Sequence, residues 1–135
     1  MRPVLPMTTK SDSVLGHAPL AQVAIHVSDI DRAEVFYRDV LGLRSLFRFG
    51  QLAFFDMAGV RLLLEGGHEV LQKREDTCLY FRVEAIDRAV GQLSSLGVYF
   101  ERPPQLAARM PDHELWMAFF RDPDGHLLAV MEERR

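Results

Sequence analysis

The sequence predicts an α+β domain of two similar modules in tandem, each a strand, a helix and then three strands. A heptapeptide recurs with five identical positions, at 27–33 and 83–89. Each copy leads into a Leu-Gly pair. In each half, apolar residues change from strand spacing to helical spacing and back. Two copies that are longer than a solenoid repeat indicate a duplicated half-domain.

Length and composition fit one soluble domain. A chain of 135 residues can bury a core, and 48% hydrophobic with 26% charged residues argues against disorder. The net charge of −3 offers no basic stripe, so we expect no nucleic-acid partner. Because no segment has the length of an apolar span or a signal-peptide core, we expect no membrane association and a cytoplasmic location. Cys78 is the only cysteine, which excludes an internal disulfide.

The two modules are predicted to occupy most of the chain. A flexible N-terminal tail at 1–19 precedes a single domain at 20–135. Within this domain we place module one at 20–65, a polar linker at 66–76 and module two at 77–132.

Module one is predicted to begin with a strand at 20–27, where apolar and polar residues alternate. Ser28 or Asp29 is expected to cap the following helix, and Gly42 to end it in a left-handed conformation. Strands are predicted next at 43–49, 52–56 and 60–65.

Module two repeats this order. A strand at 78–83 precedes a helix that ends at Gly97, and 122–125 (Asp-Pro-Asp-Gly) is a strong turn signal. Residues 102–114 include three prolines and are predicted to form a long loop of the kind that covers or lines a binding site. The remaining strands are predicted at 98–101, 115–121 and 126–132.

Two segments of the repeat resemble the vicinal-oxygen-chelate superfamily, which includes glyoxalases, bleomycin-resistance proteins and extradiol dioxygenases. The segment 27–43 is similar to that family's first strand end, helix and Leu-Gly stop, and 119–126 is similar to its final turn. The resemblance covers 20–132. It implies two βαβββ modules whose curved mixed sheets enclose a cavity, and it implies a homodimer.

In metal-dependent members of that family, four strands contribute one metal ligand each. The matching positions here are Gln22, Leu63, Cys78 and Ala129. Leucine and alanine cannot coordinate a metal, whereas a catalytic zinc needs about three protein ligands. We therefore expect no cofactor and no metal at these positions. The alternative is a displaced divalent metal held by His26, Glu65 and, from the long loop, His113.

Strand alternation predicts which side chains face the cavity. Each candidate also has a structural interpretation, because a strand histidine is usually a hydrogen-bonded wall residue and a strand-end glutamate is usually solvated. His17 and His68 fall in the predicted tail and linker and are not counted as candidates. The substrate-binding candidates are Gln22, Phe54, Arg61, Cys78, Tyr80, Arg82 and Trp116. The acid–base candidates are His26, Glu65, His113 and Glu114.

Four functions remain open from the sequence. The first is binding of a small organic molecule in the cavity without the family's usual metal, as in the antibiotic-resistance relatives. The second is a metal-dependent lyase, isomerase or dioxygenase that uses the displaced site. A metal-free acid–base enzyme and a purely structural or regulatory protein are the others. Whether the chain is an enzyme is left undecided, and a bound metal would separate the first two.

Overall fold

The computed structural model describes residues 14–69 and 74–135. Of the predicted tail and linker, residues 1–13 and 70–73 lie outside this description. No helix in the described ranges is long and apolar enough to span a membrane.

Module one forms a four-stranded mixed sheet, here called sheet one. Its first strand pairs in parallel with its last, and the other neighbours are antiparallel, in the order β1-β4-β3-β2. The strands are β1 (Gln22–His26), β2 (Arg44–Phe49), β3 (Leu52–Met57) and β4 (Val60–Glu65).

Module two forms sheet two with the same connectivity, in the order β5-β8-β7-β6. The α+β class and the two tandem modules are therefore confirmed, and the sheets are not closed barrels. The strands are β5 (Arg74–Arg82), β6 (Gln105–Arg109), β7 (Glu114–Arg121) and β8 (His126–Arg134).

The helix of module one, α1 (Ile30–Val35), begins at Asp29, whose carboxylate accepts a hydrogen bond from the Arg32 N–H at 3.1 Å. Asp29 is thus the cap, while the Ser28 hydroxyl bonds elsewhere. The helix continues as a π-helical turn at Phe36–Val40. Gly42 ends it with a φ of 76°, in the left-handed region as predicted.

The helix of module two, α2 (Ile86–Ser95), has Ala85 at its N-cap, and no side chain at that position accepts a hydrogen bond. The Ile86 N–H instead donates to the carboxylate of Glu132 on β8 at 2.8 Å. Glu132 of the last strand therefore caps α2 in place of an N-cap side chain, and this contact joins the helix to sheet two.

Two predictions in module two are wrong. The predicted strand at 98–101 contributes only one bridge, between Phe100 and Phe120, and β6 lies inside the predicted loop at 102–114. Pro103 and Pro104 precede β6 and Pro111 follows it, so no proline interrupts the strand and it is free to pair with β7. Residues 102–104 and the hairpin tip at 110–113 remain outside strands. The tip is closed by the Met110 N–H, which donates to the His113 carbonyl at 2.8 Å.

The boundary of module two also shifts. Strand β5 begins at Arg74, so three residues of the predicted linker belong to the sheet, with an irregular register between Arg74 and Cys78.

The two modules contact each other through a group of side-chain hydrogen bonds, here called the polar joint. The Tyr37 hydroxyl donates to the Asp122 carboxylate at 2.8 Å, and both side chains are buried. The Ser28 hydroxyl donates to Asp124 at 2.5 Å, and Arg32 donates to the same oxygen at 3.3 Å. The predicted Asp-Pro-Asp-Gly turn thus packs against module one.

Each sheet has one buried face, which packs against the helices, and one helix-distal face. Phe55, Leu62 and Leu64 are fully buried on the helix side of sheet one, and Phe120 and Leu128 are fully buried on that of sheet two. Side chains on the helix-distal faces are more exposed, and the grooves beside them open to solvent.

Candidate functional site

The helix-distal face of sheet one carries polar groups at its two ends and aromatic rings between them. Strand alternation and the pairing register decide which residues share this face. They are Gln22, Ala24 and His26 of β1, Arg61, Leu63 and Glu65 of β4, Leu52, Phe54 and Asp56 of β3, and Arg44, Phe47 and Phe49 of β2.

Three predicted substrate-binding residues come together on this face. The Phe54 ring stacks on Phe47 with 4.3 Å between centroids, and the Arg61 guanidinium lies 5.8 Å from the Phe54 centroid. Arg61 also donates to the side-chain oxygen of Gln22 at 2.8 Å. We call Gln22, Phe47, Phe54 and Arg61 the aromatic patch. It combines an exposed ring with a cation.

At the other end of the same face, the predicted pair His26 and Glu65 is in contact. The register pairs the two residues directly, and His26 Nε2 lies 3.5 Å from a Glu65 oxygen. The His68 ring stacks on the His26 ring with centroids 3.8 Å apart and an interplanar angle of 5°. One ligand atom from each of the three side chains falls within 4.8 Å of the others. We call these three residues the histidine rim.

His68 is the site residue that sequence reasoning missed. It lies in the segment predicted to be a linker, yet its N–H donates to the Val27 carbonyl at 3.1 Å, which returns the chain to the end of β1. The signal that could have found it is the Gly66-Gly67 pair after β4, where Gly67 adopts a φ of 79° and lets the chain reverse.

The other two acid–base candidates lie elsewhere. His113 Nδ1 is 2.7 Å from an Asp112 oxygen, and Glu114 accepts from Arg109 at 2.6 Å. Hydrogen bonds from His113 and Arg135 hold the pKa of Asp112 below its usual value. These groups belong to the β6–β7 hairpin and form ion pairs there.

The length of β8 separates this hairpin from the histidine rim. His126, at its start, donates from Nε2 to the His26 carbonyl at 2.6 Å, whereas Arg134, at its end, pairs with Glu114. Nine strand residues span roughly 26 Å. The prediction of His113 as third ligand beside His26 and Glu65 is therefore corrected: the nearby third group is His68.

Three further substrate-binding candidates, Cys78, Tyr80 and Arg82, follow one another on the helix-distal side of β5. Tyr80 contacts Phe119 edge to face with 6.1 Å between centroids, and Arg82 lies 3.9 Å from Glu133. All three line a groove of about 550 Å³ between the modules, opposite Arg44 and Asp56.

Cys78 is a poor candidate for a nucleophile. Burial raises the pKa of its thiol above the usual value, so the neutral form predominates near neutral pH. The thiol also approaches the Leu79 carbonyl at 3.9 Å, a weak hydrogen bond. Burial likewise raises the pKa of Tyr80, with Cys78 as a smaller contribution.

Trp116 does not share the face of Tyr80, which corrects its prediction as a cavity residue. Alternation along β7 puts it on the helix side with the buried Ala118 and Phe120. Its ring lies 4.6 Å from the Arg134 guanidinium, and its Nε1–H donates to Glu114 at 3.1 Å. These contacts describe a structural side chain.

The positions that match the family's metal ligands carry side chains that fit a metal poorly. The Gln22 side-chain oxygen already accepts a hydrogen bond from Arg61. Leu63 pairs with Ala24 rather than Gln22, and Ala129 is fully buried. Two hydrocarbon side chains and one neutral amide are not the donor set of a catalytic metal.

The comparison with protein families decides the assignment. Residues 20–130 match the family model of the Glyoxalase/Bleomycin resistance protein/Dioxygenase superfamily. The chain belongs to this superfamily. The resemblance noted in the repeat is thereby confirmed for most of the chain, and the alignment spans both sheets.

Individual proteins resemble the chain at modest identity. The uncharacterized protein YraH of Bacillus subtilis (strain 168) is 27% identical over 128 residues, covering 82% of this chain and 95% of YraH. A lactoylglutathione lyase structure from Agrobacterium tumefaciens superimposes with a TM-score of 0.67 at 25% identity, over 85% of this chain and 93% of that one. The structure of a superfamily member from Sphaerobacter thermophilus DSM 20745 superimposes with a TM-score of 0.68 at 26% identity, over 86% of this chain and 98% of that one.

Proposed function

We propose that this superfamily member binds a small organic molecule on the helix-distal faces of its sheets, without a metal at the family's usual positions. The ligand class is a flat, amphipathic molecule with an aromatic ring and an anionic group. Binding sites of this kind combine apolar walls with a few oriented polar groups.

The observation that carries this proposal is the aromatic patch. Phe54 offers one ring to the solvent side of sheet one, and Arg61 lies beside it with its guanidinium oriented by Gln22. An aromatic ligand gains offset or edge contacts of about 0.5–1.5 kcal/mol with such a ring. The fork of an arginine matches a carboxylate in two parallel hydrogen bonds.

The groove between the modules supplies a second set of contacts of the same type. Tyr80 gives a half-exposed ring, with 49% exposure, and Arg82 gives a second cation on the same strand. A volume of about 550 Å³ is in the range of small-molecule sites.

We further propose that the protein is a homodimer in which a second copy packs against the β2 side of sheet one. Phe49 is 75% exposed and Phe47 is 50% exposed, so sheet one presents apolar area that a monomer rarely leaves open. Light scattering is expected to give twice the 15.4 kDa mass of one chain. Phe49→Arg should shift that mass to the monomer, and a monomeric wild type would contradict the dimer.

Titration calorimetry with 2-naphthoate, an aromatic carboxylate, on chelator-treated protein tests the binding proposal. We expect saturable binding that Phe54→Ala weakens about two- to tenfold, because a ring contact is lost. Arg61→Ala should weaken it at least about tenfold, because the carboxylate loses its cation.

Arg88→Ala is the matched control, because Arg88 is exposed on α2 and far from the patch in the fold. Its affinity should equal that of the wild type. Absence of saturable binding, or binding that Phe54→Ala and Arg61→Ala leave unchanged, would contradict the proposal.

The second candidate function is a metal-dependent lyase, isomerase or dioxygenase. The histidine rim favours it, because this class requires a Lewis acid and the rim supplies donor atoms. A solved neighbour is a lactoylglutathione lyase, which makes a lyase the first reaction to assay. Activity that requires added metal and is lost in His26→Ala would favour this candidate over metal-free binding.

A further inference from the structure

We propose that His26, Glu65 and His68 form a binding site for a divalent transition-metal ion, with Zn²⁺ as the representative. The site lies at the ends of the parallel strands β1 and β4 and uses none of the four positions that match the family's metal ligands. It goes beyond the proposed binding of an organic molecule and does not depend on it.

The donor atoms are already close to the separation that one ion requires. Zinc binds nitrogen and oxygen at about 2.0–2.2 Å, so two ligand atoms around a tetrahedral ion are roughly 3.4 Å apart. His26 Nε2 lies 3.5 Å from the Glu65 oxygen, and the most distant pair in the set is within 4.8 Å. Side-chain rotation alone can therefore complete the site.

The stacked rings define the rearrangement that metal binding needs. Nitrogen lone pairs lie in the ring plane, and the planes of His26 and His68 are nearly parallel at a centroid separation of 3.8 Å. Parallel planes do not share a point, so one imidazole must turn about its Cβ–Cγ bond. Among the described residues, the structure records no hydrogen bond from either ring that would oppose this rotation.

The backbone beneath all three ligands is held in place. The Val27 N–H donates to the Glu65 carbonyl at 2.9 Å, and the His68 N–H donates to the Val27 carbonyl at 3.1 Å. The His26 carbonyl accepts from His126 at 2.6 Å. A site whose backbone is fixed before binding loses little conformational entropy when the ion arrives.

Gly66 allows the chain to make the close turn that brings His68 back. A Cβ at this position would lie 2.7 Å from the Ile30 Cβ and would overlap the Gln51 side-chain oxygen, so only glycine fits without a shift. The Gly66 N–H donates to the Gln51 carbonyl at 2.7 Å and anchors the turn.

The donor set fits a borderline transition metal. Two imidazoles and one carboxylate suit zinc, cobalt, nickel or iron, whereas calcium and magnesium prefer oxygen alone. Three protein ligands leave a coordination position open. The side chains of His26 and Glu65 are 47% and 36% exposed, so water or a bound molecule can reach it.

The open position faces the same surface as the aromatic patch. Glu65 is two residues beyond Leu63, the partner of Phe54 in the sheet, which places the rim roughly 7 Å along the strand from the patch. A metal there would lie within reach of a polar group on a molecule bound at the aromatic patch.

The test uses untagged full-length protein that has been stripped with chelator and dialysed. Calorimetry with Zn²⁺ is expected to show about one ion per chain, and Co²⁺ should give visible absorption bands of a low-coordinate nitrogen and oxygen site. His26→Ala, Glu65→Gln and His68→Ala should each weaken Zn²⁺ binding by more than tenfold, because even the loss of an outer hydrogen bond costs 10- to 100-fold.

His113→Ala is the matched control, because this histidine also contacts a carboxylate but lies on the hairpin. Its Zn²⁺ affinity should equal that of the wild type. No Zn²⁺ binding, binding unaffected by His68→Ala in a variant with wild-type circular dichroism, or binding lost in His113→Ala would each overturn the proposal. Naphthoate binding is measured without metal, so the two proposals fail independently.

Discussion

The Tyr37 hydroxyl donates a 2.8 Å hydrogen bond to Asp122, and this contact joins the helix of module one to the turn of module two. Both side chains are buried, and 85 residues separate them in the chain. Asp122 also accepts from the N–H groups of Asp124 and His126 at 2.9 and 2.8 Å. The Asp122 carboxylate therefore accepts three hydrogen bonds at the polar joint between the modules.

Tyr37→Phe is expected to lower the free energy of unfolding by about 1–3 kcal/mol. The ring stays in the core, but a buried carboxylate oxygen loses its donor. Urea unfolding followed by circular dichroism measures the change. Tyr99→Phe, at a tyrosine that is 78% exposed, should leave the midpoint unchanged. Equal effects in the two variants would show that the joint contributes nothing.

The pH dependence of stability should carry the signature of Asp122. Burial raises the pKa of Asp122 in the folded state, so the folded protein holds this proton more tightly than the unfolded chain does. Its contribution is fully favourable below the unfolded pKa of about 3.9 and is lost as the pH rises through the folded pKa.

Asp122→Asn removes this titration. The difference in unfolding free energy, wild type minus Asp122→Asn, should therefore be more positive at pH 3.5 than at pH 7. Chemical denaturation at both values measures it. A difference that is constant with pH, or that grows toward pH 7, would contradict the raised pKa.

Gly66→Ala should destabilise the fold by about 1–3 kcal/mol, because the new methyl group meets the Ile30 Cβ at 2.7 Å. The variant should also weaken Zn²⁺ binding, since the turn that positions His68 is displaced. Gly91→Ala is the internal comparison: it lies exposed in α2 with nothing within 4 Å of an added Cβ. Gly91→Ala should raise the free energy of unfolding by up to about 1 kcal/mol, because alanine favours a helix more than glycine does. Thermal unfolding of the pair is the measurement.

Asp29→Ala should lower the free energy of unfolding by about 1 kcal/mol, because the first turn of α1 loses the acceptor for the Arg32 N–H. Asp87→Ala, at an 81% exposed carboxylate in the first turn of α2, serves as comparison because α2 is capped by Glu132 instead. Urea midpoints of the two variants should differ, with Asp29→Ala the less stable. The reverse order would indicate that α1 does not depend on this cap.

The repeat in the sequence predicted most of the fold because local rules determine those parts. Alternating apolar residues give β1 and β4, and glycine with a positive φ ends each helix, as at Gly42 and Gly97. Strand β6 was missed because Pro103 and Pro104 make its surroundings resemble a loop. Whether they end a strand or precede one depends on pairing with β7, which local sequence does not encode.

The candidate site was predicted in part for the same reason. Alternation along β1 and β4 predicts that His26 and Glu65 lie on the same face, and the parallel register of these strands brings the two residues together. His68 depends on a reversal after β4 and on a long-range hydrogen bond to Val27, so spacing alone does not reveal it. The prediction for Trp116 is wrong because local sequence does not determine which residues of β7 share a face with Tyr80 of β5. The small-molecule ligand, the metal, the dimer and the cytoplasmic location stay predictions.

The strands at two of the sheet borders carry features that oppose pairing with a strand of another molecule. Among the described strands, β1 and β2 are the edges of sheet one, and β5 and β6 are the edges of sheet two. Strands β2 and β6 each have a break in register, between Ser45 and Phe47 and between Leu106 and Ala108. Each edge also carries arginine, Arg48 on β2 and Arg109 on β6. Bulges and charges of this kind oppose the addition of another molecule's strand. The aromatic surface of sheet one can therefore stay exposed while the borders at β2 and β6 resist growth into fibrils.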